Sequence, residues 1–372
     1  MLRTMIRTAS VVLLCLASYL PSQETLAQVQ RRFTEEARKL DASSPTEEQR
    51  AQLLSRHVEN LEQFLAKAAK DDDRWNGRLM LADLQLARSD RTAAAATLRT
   101  IEAKAAPAMV LITAAAMAQH LNLRELRDAW IPAAIAKQAP LADRLAMARM
   151  LMTVLHDVER GEAMFQATLA AATDDEQKAF VRWHRADALR DREDLPDNAG
   201  FEELERLANE LPKTYWGEVA RDRLRATRLQ PGDDAIAFRG KTRAGAEFAL
   251  ADAVGKTVVL AFWSLDDRDT RTLIATLAQL QRRLGDKLAV VSVCLDREDA
   301  AIGQAVRDLG IDFPVIGNGK GIETDVALRW FVEGPAVHVI DPKGKVAGLG
   351  LHVGTADARA ELTELVERVG KS

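Results

Sequence analysis

Two uninterrupted apolar segments in the C-terminal third of the chain constrain its fold more than any other sequence feature. Residues 257–264 (TVVLAFWS) and 288–295 (LAVVSVCL) are rich in β-branched residues and lack polar alternation, which is typical of strands covered on both faces. Between them, apolar residues recur at helical spacing from Leu273 to Leu284. The order strand, helix, strand predicts two parallel strands joined by a right-handed crossover.

The remaining C-terminal residues extend this pattern. They predict two more helices, then two strands around a turn and a last amphipathic helix, at residues 299–309, 322–331, 336–340, 346–351 and 362–369. Strands with interleaved helices, ending in a hairpin and a helix, predict a compact α/β sandwich over residues 237–372. Residues 231–236 begin with Pro-Gly and two acidic residues, which predicts an exposed linker before the sandwich.

Residues 28–230 show a different pattern. They are rich in Ala, Leu, Arg and Glu, and their apolar residues follow helical spacing without a convincing alternating strand. Turn-forming residues divide them into short segments, which predicts antiparallel helix pairs. Both a short repeat array and an irregular helical bundle are open. One stretch matches the small and apolar positions of a tetratricopeptide repeat in order and spacing, at Leu81, Ala82, Ala94, Leu98 and Ile101.

The first 27 residues are predicted to be an export signal. Arg3 and Arg7 give a positive start, residues 11–20 form an apolar run, and small residues precede a cleavage site after Ala27. The run is shorter than the roughly 20 residues that a membrane span needs, so no stable span is expected after cleavage. An uncleaved anchor is the alternative. The signal predicts a periplasmic or secreted protein.

Charge and cysteine content exclude several classes of function. The chain has 51 Lys plus Arg against 55 Asp plus Glu and a formal charge of −4, so nothing indicates a nucleic-acid partner. Its two cysteines, Cys15 and Cys294, cannot build a disulfide framework or a thiolate zinc site. Cleavage after Ala27 would leave Cys294 as the only thiol. We expect no cofactor.

Several motifs in the C-terminal part occur together in a recognisable order. They are Phe248-Ala249-Leu250 with Gly255-Lys256, Phe262-Trp263-Ser264, residues 291–296, and Gly334-Pro335-Ala336 with Ile340-Asp341 and Gly344-Lys345. Over residues 235–370 the chain resembles the thioredoxin fold, and most closely the redoxin and TlpA-type thiol-disulfide oxidoreductases. The resemblance implies a thioredoxin-fold α/β sandwich. Together with the N-terminal helical bundle or short helical-repeat array that the helical spacing predicts, it gives an expected α plus α/β chain.

The resemblance also implies where an active site should lie. The family places a Cys-X-X-Cys pair after the Phe-Trp strand end, and those two positions are Asp267 and Thr270 here. Pro335 corresponds to the family's cis-proline. The resemblance therefore implies a groove around Trp263, Gly334, Pro335 and Ala336, which could still dock an extended peptide through its backbone.

The acidic turn after the Phe-Trp strand end has two interpretations. Asp266 or Asp267 can cap the following helix, because acidic residues stabilise a helix N-terminus. Alternatively, Asp266, Asp267 and Asp269 could offer oxygen ligands to a metal ion. We favour capping and expect no metal site. Cys294, on a predicted central strand, is expected to be a buried and inert thiol rather than a redox sensor.

Taken together, these features predict an exported thioredoxin-fold protein whose active site is degenerate and which acts as a protein-interaction module without redox chemistry. Its partner would be a protein of the cell envelope. The alternative is a thiol-disulfide oxidoreductase or peroxidase of the redoxin family, which the resemblance implies but the missing cysteine pair argues against.

Overall fold

A computed structural model describes residues 24–371, except 42, 44, 69–70 and 197. The described residues form two compact units. The helical unit contains residues 24–172 and Asp191–Leu195, and the sheet unit contains Thr173–Arg190 and residues 196–371. Among these residues, no helix combines the length and the apolar character that crossing a membrane requires.

Most of the predicted export signal lies outside the described residues. The predicted cleavage site after Ala27 falls in the first turn of helix α1, Leu26–Asp41. Leu26 itself is fully buried, in an apolar cluster that includes Val58 and Leu61.

The helical unit consists of consecutive helices that pack mainly against their sequence neighbours. After α1 they are α2 Glu47–Lys67, α3 Asp71–Ala87, α4 Arg91–Arg99, α5 Ala108–His120, α6 Arg124–Ile135, α7 Leu141–Thr153 and α8 Val158–Ala170. The closest pairs are α3 with α4, α5 with α6, and α7 with α8, as expected for antiparallel helix pairs. Trp75, Trp130 and Met147 are buried in the central apolar cluster of this unit. The resemblance to a tetratricopeptide repeat stays a prediction.

Three more helices belong to the sheet unit although they precede the predicted linker. They are α9 Asp175–Arg190, α10 Ala199–Glu210 and α11 Tyr215–Ala226. They pack around an apolar cluster that includes Trp183 and Leu207. Within this bundle the buried Glu203 carboxylate accepts from the Arg182 Nε at 2.9 Å and from the Arg185 Nη1 at 2.8 Å.

A five-stranded sheet forms the centre of the sheet unit. In the order in which the strands lie side by side, they are β5 Val315–Ile316, β4 Leu288–Cys294, β3 Thr257–Trp263, β6 Ala336–Ile340 and β7 Val346–Leu351. Strands β3, β4 and β5 are parallel, whereas β6 is antiparallel to both of its neighbours. A separate antiparallel pair consists of β1 Arg239–Lys241 and β2 Glu247–Ala249. The two apolar strands and the fold class predicted from the sequence are confirmed.

Helices cover both faces of this sheet. They are α12 Thr270–Leu284, α13 Asp299–Asp308, α14 Asp325–Arg329 and α15 Ala356–Val369. Alternate residues of β3 lie on opposite faces: Val259 and Ala261 pack in the cluster that contains α12, whereas Leu260 and Phe262 pack in the cluster that contains Trp330. Burial on both faces explains why β3 is apolar throughout.

Two local expectations need adjustment. The helix predicted over residues 322–331 is a 3₁₀ turn at Gly321–Glu323 followed by the five-residue α14. Thr324 lies between them in an extended conformation, with a φ of −64° and a ψ of 135°, which interrupts a regular helix. The short strand β5 was not predicted, because two residues are too few to carry a periodic pattern.

Candidate functional site

The turn between β3 and α12 holds the two positions where the family has cysteines. Thr270 is buried and its hydroxyl donates to the Ser264 carbonyl at 2.6 Å. The Thr270 N–H donates to the Asp267 carbonyl at 3.2 Å, and an Asp267 carboxylate oxygen accepts from the Asp269 N–H at 3.2 Å. Short-range bonds therefore hold much of this turn, and neither of the two positions carries a thiol.

The prediction that Asp266 or Asp267 caps helix α12 is wrong. The N-cap residue of α12 is Asp269, which makes no side-chain capping bond. Asp267 instead bonds the N–H two residues further on, a local turn that aspartate forms readily. Among the described residues, no group of three or more His, Cys, Asp or Glu side chains is arranged to hold a metal ion, so the metal interpretation of Asp266, Asp267 and Asp269 gains no support.

Cys294 lies at the end of β4, in register with Trp263 on β3. It is fully buried, and its thiol donates to an Asp296 carboxylate oxygen at 3.1 Å. Burial raises the pKa of the Cys294 thiol far above its ordinary value, so the thiolate that redox chemistry needs is not formed. The predicted burial of this cysteine is confirmed.

Asp296 was not recognised from the sequence as part of this region. The same carboxylate oxygen that accepts from Cys294 also accepts from the Leu265 N–H at 2.8 Å. Asp296 thus links the end of β4 to the turn after β3. A signal was present, because an acidic residue directly after a buried strand faces the end of the neighbouring parallel strand.

Trp263 does not line a groove, contrary to the sequence-based prediction. Its side chain is fully buried in the apolar cluster beneath α12. The reason is strand alternation: Trp263 shares a face with Val259 and Ala261, and that face is covered by the helix.

The predicted cis isomer at Pro335 is also wrong. The described residues contain no cis peptide bond, so the bond between Gly334 and Pro335 is trans. The trans form of such a bond is more stable by about 0.5–1 kcal/mol.

The loop that precedes Pro335 is held by the helices of the sheet unit. Phe331 has a φ of 51°, which is unusual for a bulky residue. Its ring lies under the guanidinium groups of Arg223 and Arg190, at 4.5 and 5.3 Å from the ring centroid. The Phe201 ring meets it edge-on at 5.8 Å, and Glu333 pairs with Arg190 at 3.0 Å. Aromatic and cationic contacts thus hold this backbone in place.

Helix α14, just before this loop, is fastened to α11. The Tyr215 hydroxyl donates to an Asp325 carboxylate oxygen at 2.8 Å. Arg329 pairs with Asp222 at 2.5 Å and with Asp325 at 3.0 Å. The Tyr215–Asp325 and Asp222–Arg329 pairs join residues more than a hundred positions apart in the sequence.

Gly334, Pro335 and Ala336 line an open cleft of about 350 Å³. Trp330 and His338 also line it, on the sheet face opposite α12. The four residues of the predicted docking groove are therefore not brought together, since Trp263 belongs to the other face.

The geometry of the sheet unit agrees with what comparison with known proteins finds. The model of the AhpC/TSA family matches residues 231–348. Thioredoxin-like protein YneN of Bacillus subtilis is 31% identical over 130 residues, which are 34% of this chain and 74% of that protein. This chain belongs to the thioredoxin-like proteins.

Two solved structures of similar proteins each cover a little over a third of this chain. The thioredoxin domain of a thiol-disulfide oxidoreductase from Bacteroides vulgatus is 23% identical, covering 38% of this chain and 99% of that chain with a TM-score of 0.33. A thiol:disulfide interchange protein from Chlorobium tepidum is 22% identical, covering 38% of this chain and 98% of that chain with a TM-score of 0.33.

Proposed function

We propose that this member of the thioredoxin-like family is a protein-interaction module that performs no thiol-disulfide exchange. The observation that carries the proposal is the identity of the two residues at the dithiol positions, Asp267 and Thr270. Exchange proceeds through a mixed disulfide that a second thiol must resolve. A carboxylate and a hydroxyl group can neither form the mixed disulfide nor resolve it.

The surroundings of Cys294 support the same proposal. It is the only cysteine among the described residues, and it is buried, bonded to Asp296 and raised in pKa. Strand β3 lies between β4, which carries Cys294, and β6, which begins next to Pro335. A thiol in this position has no path to a protein substrate at the surface.

The compartment is part of the proposal. The positive start, the apolar run and the small residues before Gln28 favour export to the periplasm or beyond. The partner would then be a protein of the cell envelope. Comparing the chain in fractionated cells with a variant in which Arg3 and Arg7 are replaced by Glu tests this directly, since the variant should stay in the cytoplasm. Equal export of both would contradict it.

The proposal on chemistry is tested by assays of insulin reduction and peroxide turnover. The matched positive control is the double variant Asp267→Cys/Thr270→Cys, which restores the spacing of the dithiol on the same turn. We expect no turnover from the unaltered chain and measurable insulin reduction from the double variant. Multiple turnovers by the unaltered chain that disappear in Cys294→Ser would overturn the proposal.

A second candidate function is thiol-disulfide oxidoreductase or peroxidase activity. The observation that favours it is the kind of protein found among the similar solved structures, which are thiol-disulfide oxidoreductases and interchange proteins. The assays above decide between the two candidates, because this one requires the unaltered chain to be active.

A further inference from the structure

A larger open groove of the sheet unit lies between helices α10 and α11 and the segment that follows α11. Its volume is about 640 Å³, which is within the range of ligand sites in proteins. Ala208, Leu224 and Leu229 give it a short apolar lining, and most of its other lining residues are charged. None of its lining residues belongs to the Asp267 turn or to the loop before Pro335.

Three arginines line this groove along one side of α11. Arg221, Arg225 and Arg228 follow one another at intervals of four and three residues, the spacing that brings side chains together on one face of a helix. All three are exposed. The groove therefore presents guanidinium groups on successive helical turns to the solvent.

Two of the three carboxylates in the groove bond to groups that do not line it. An Asp233 carboxylate oxygen accepts from the Gln230 N–H at 2.8 Å. The Asp234 carboxylate pairs with the Lys345 Nζ at 2.6 Å. These two carboxylates are thus engaged by partners other than the arginines of α11.

Two of the arginines bond only to backbone carbonyls. The Arg221 Nη2 donates to the Pro212 carbonyl at 2.8 Å, and the Arg225 Nη2 donates to the Asp234 carbonyl. In the part of the chain that the structure describes, neither guanidinium forms an ion pair with a carboxylate. Each uses one terminal nitrogen on a neutral acceptor and keeps its other N–H groups for a ligand.

The chemistry of this pair favours carboxylates as ligands. A guanidinium group binds a carboxylate through two parallel N–H···O bonds. Arg221 and Arg225 lie one helical turn apart, so they match two carboxylates with the same separation. A phosphate would concentrate its negative charge beside the carboxylates of Asp233 and Asp234, which is unfavourable. An acidic peptide carries single charges that are spread along the chain.

We propose that this groove binds an acidic segment of the partner protein, in which two carboxylates pair with Arg221 and Arg225 and an apolar side chain between them contacts Leu224. The inference deepens the proposed interaction function and rests on it for its biological role. It gives the partner a stated chemistry and places the contact away from the dithiol positions.

The test is a calorimetric titration of the full chain with the peptide Glu-Ala-Leu-Ala-Glu, acetylated and amidated at its ends. Its two carboxylates have the spacing of the two arginines. We expect saturable binding that weakens as NaCl is raised, because the contact is electrostatic. The peptide Gln-Ala-Leu-Ala-Gln should bind about tenfold more weakly or not at all. This arm leaves the protein unaltered, so it does not depend on the folding of a variant.

Variants of the chain then locate the contact. Arg221→Gln/Arg225→Gln should weaken binding of the Glu peptide about tenfold or more, since it removes two charge-assisted contacts. Arg221→Lys/Arg225→Lys keeps the charges but loses the planar fork, and should fall between that variant and the unaltered chain. The matched control is Arg239→Gln/Arg282→Gln, which removes the same charge at exposed positions of the same unit and should leave the affinity unchanged.

Three results would overturn the inference. They are equal binding of the Glu and Gln peptides, equal weakening by the two double Gln variants, and tighter binding of inorganic phosphate than of the Glu peptide. Urea unfolding of each variant confirms that it is folded. None of these results bears on the proposed absence of redox activity, because the insulin assay measures that separately.

Discussion

The turn after β3 and the loop before β6 meet the same sheet from neighbouring strands but are stabilised in different ways. The turn, residues 264–270, is held mainly by short-range bonds such as that from Thr270 to Ser264, with one longer-range bond from the Leu265 N–H to Asp296. The loop, residues 330–335, depends on Arg190, Arg223 and Phe201 from distant helices. The comparison teaches that short-range bonds hold most of the turn, whereas side chains from distant helices hold the loop. Substitutions that remove contacts of the loop should therefore lower the free energy of unfolding more than substitutions in the turn.

The largest effect is expected from Arg223→Ala. Arg223 is 4% exposed, bonds Asp187 at 3.1 Å and lies over both Trp183 and Phe331. Removing a buried partner of an ion pair costs roughly 3–5 kcal/mol; we expect about 3, because Arg190 also lies near Asp187. Urea unfolding, with hydrogen exchange to locate the change in the sheet unit, measures this. Arg228→Ala, at an exposed pair with Glu205, is the control and should cost less than about 1 kcal/mol.

The next effect is a pH dependence that arises beside the loop. Burial lowers the pKa of His338 from 6.5 to about 4. Between pH 6.5 and pH 4 the unfolded chain therefore binds a proton at His338 that the folded chain does not bind. The contribution of this histidine to the free energy of unfolding is fully present above pH 6.5 and is lost as the pH falls towards 4. The loss is on the order of 3 kcal/mol. His338→Phe should flatten this dependence in the sheet unit.

The helical unit provides a parallel to this titration. Burial, with a smaller contribution from the Arg32 charge, lowers the pKa of His57 to about 4. His57→Phe should flatten the acid sensitivity of the helical unit and leave that of the sheet unit unchanged. Hydrogen exchange between pH 4 and pH 7 separates the two units. A sheet unit that still loses stability at acid pH in His338→Phe would show that another group is responsible.

A smaller effect tests whether the loop backbone is strained. Phe331→Ala and Phe331→Gly both remove the ring contacts, but only glycine adopts a φ of 51° without a penalty. Phe331→Gly should therefore be about 1 kcal/mol more stable than Phe331→Ala. The reverse order, which is the usual one at positions with ordinary φ angles, would refute the strain.

The smallest effect concerns the turn. Thr270→Val removes the hydroxyl that donates to Ser264 and should cost about 1 kcal/mol, whereas Thr270→Ser keeps the donor and should cost less. Urea unfolding of the three chains checks the order. If Thr270→Val cost as much as Arg223→Ala, the contrast between turn and loop would fail.

Much of the sheet could be predicted because its signals are local. The apolar runs of β3 and β4 and the stripe of α12 can each be read from a short window. Trp263 could have been placed correctly too, since its strand parity with Val259 and Ala261 puts it on the α12 face. The prediction that Trp263 lines a groove depends on the family resemblance alone.

The loop could not be predicted, because its determinants are distant in the sequence. Arg329 and Asp222 are separated by 107 positions. Nothing in the sequence around either residue indicates that the two form a pair. The association of α9, α10 and α11 with the sheet unit likewise depends on contacts between residues that are far apart in the sequence.

Both outer margins of the sheet are closed by segments that lie outside its five strands. Next to β7, the Gly232 N–H donates to the Val346 carbonyl and the Val346 N–H to the Asp233 carbonyl, each at 2.8 Å. Next to β5, the Arg243 N–H donates to the Val315 carbonyl at 2.8 Å. Unpaired strand margins invite intermolecular pairing. A fragment that begins at residue 237 would keep all five strands but uncover β7, and we expect it to self-associate in solution where a fragment beginning at residue 173 stays dispersed.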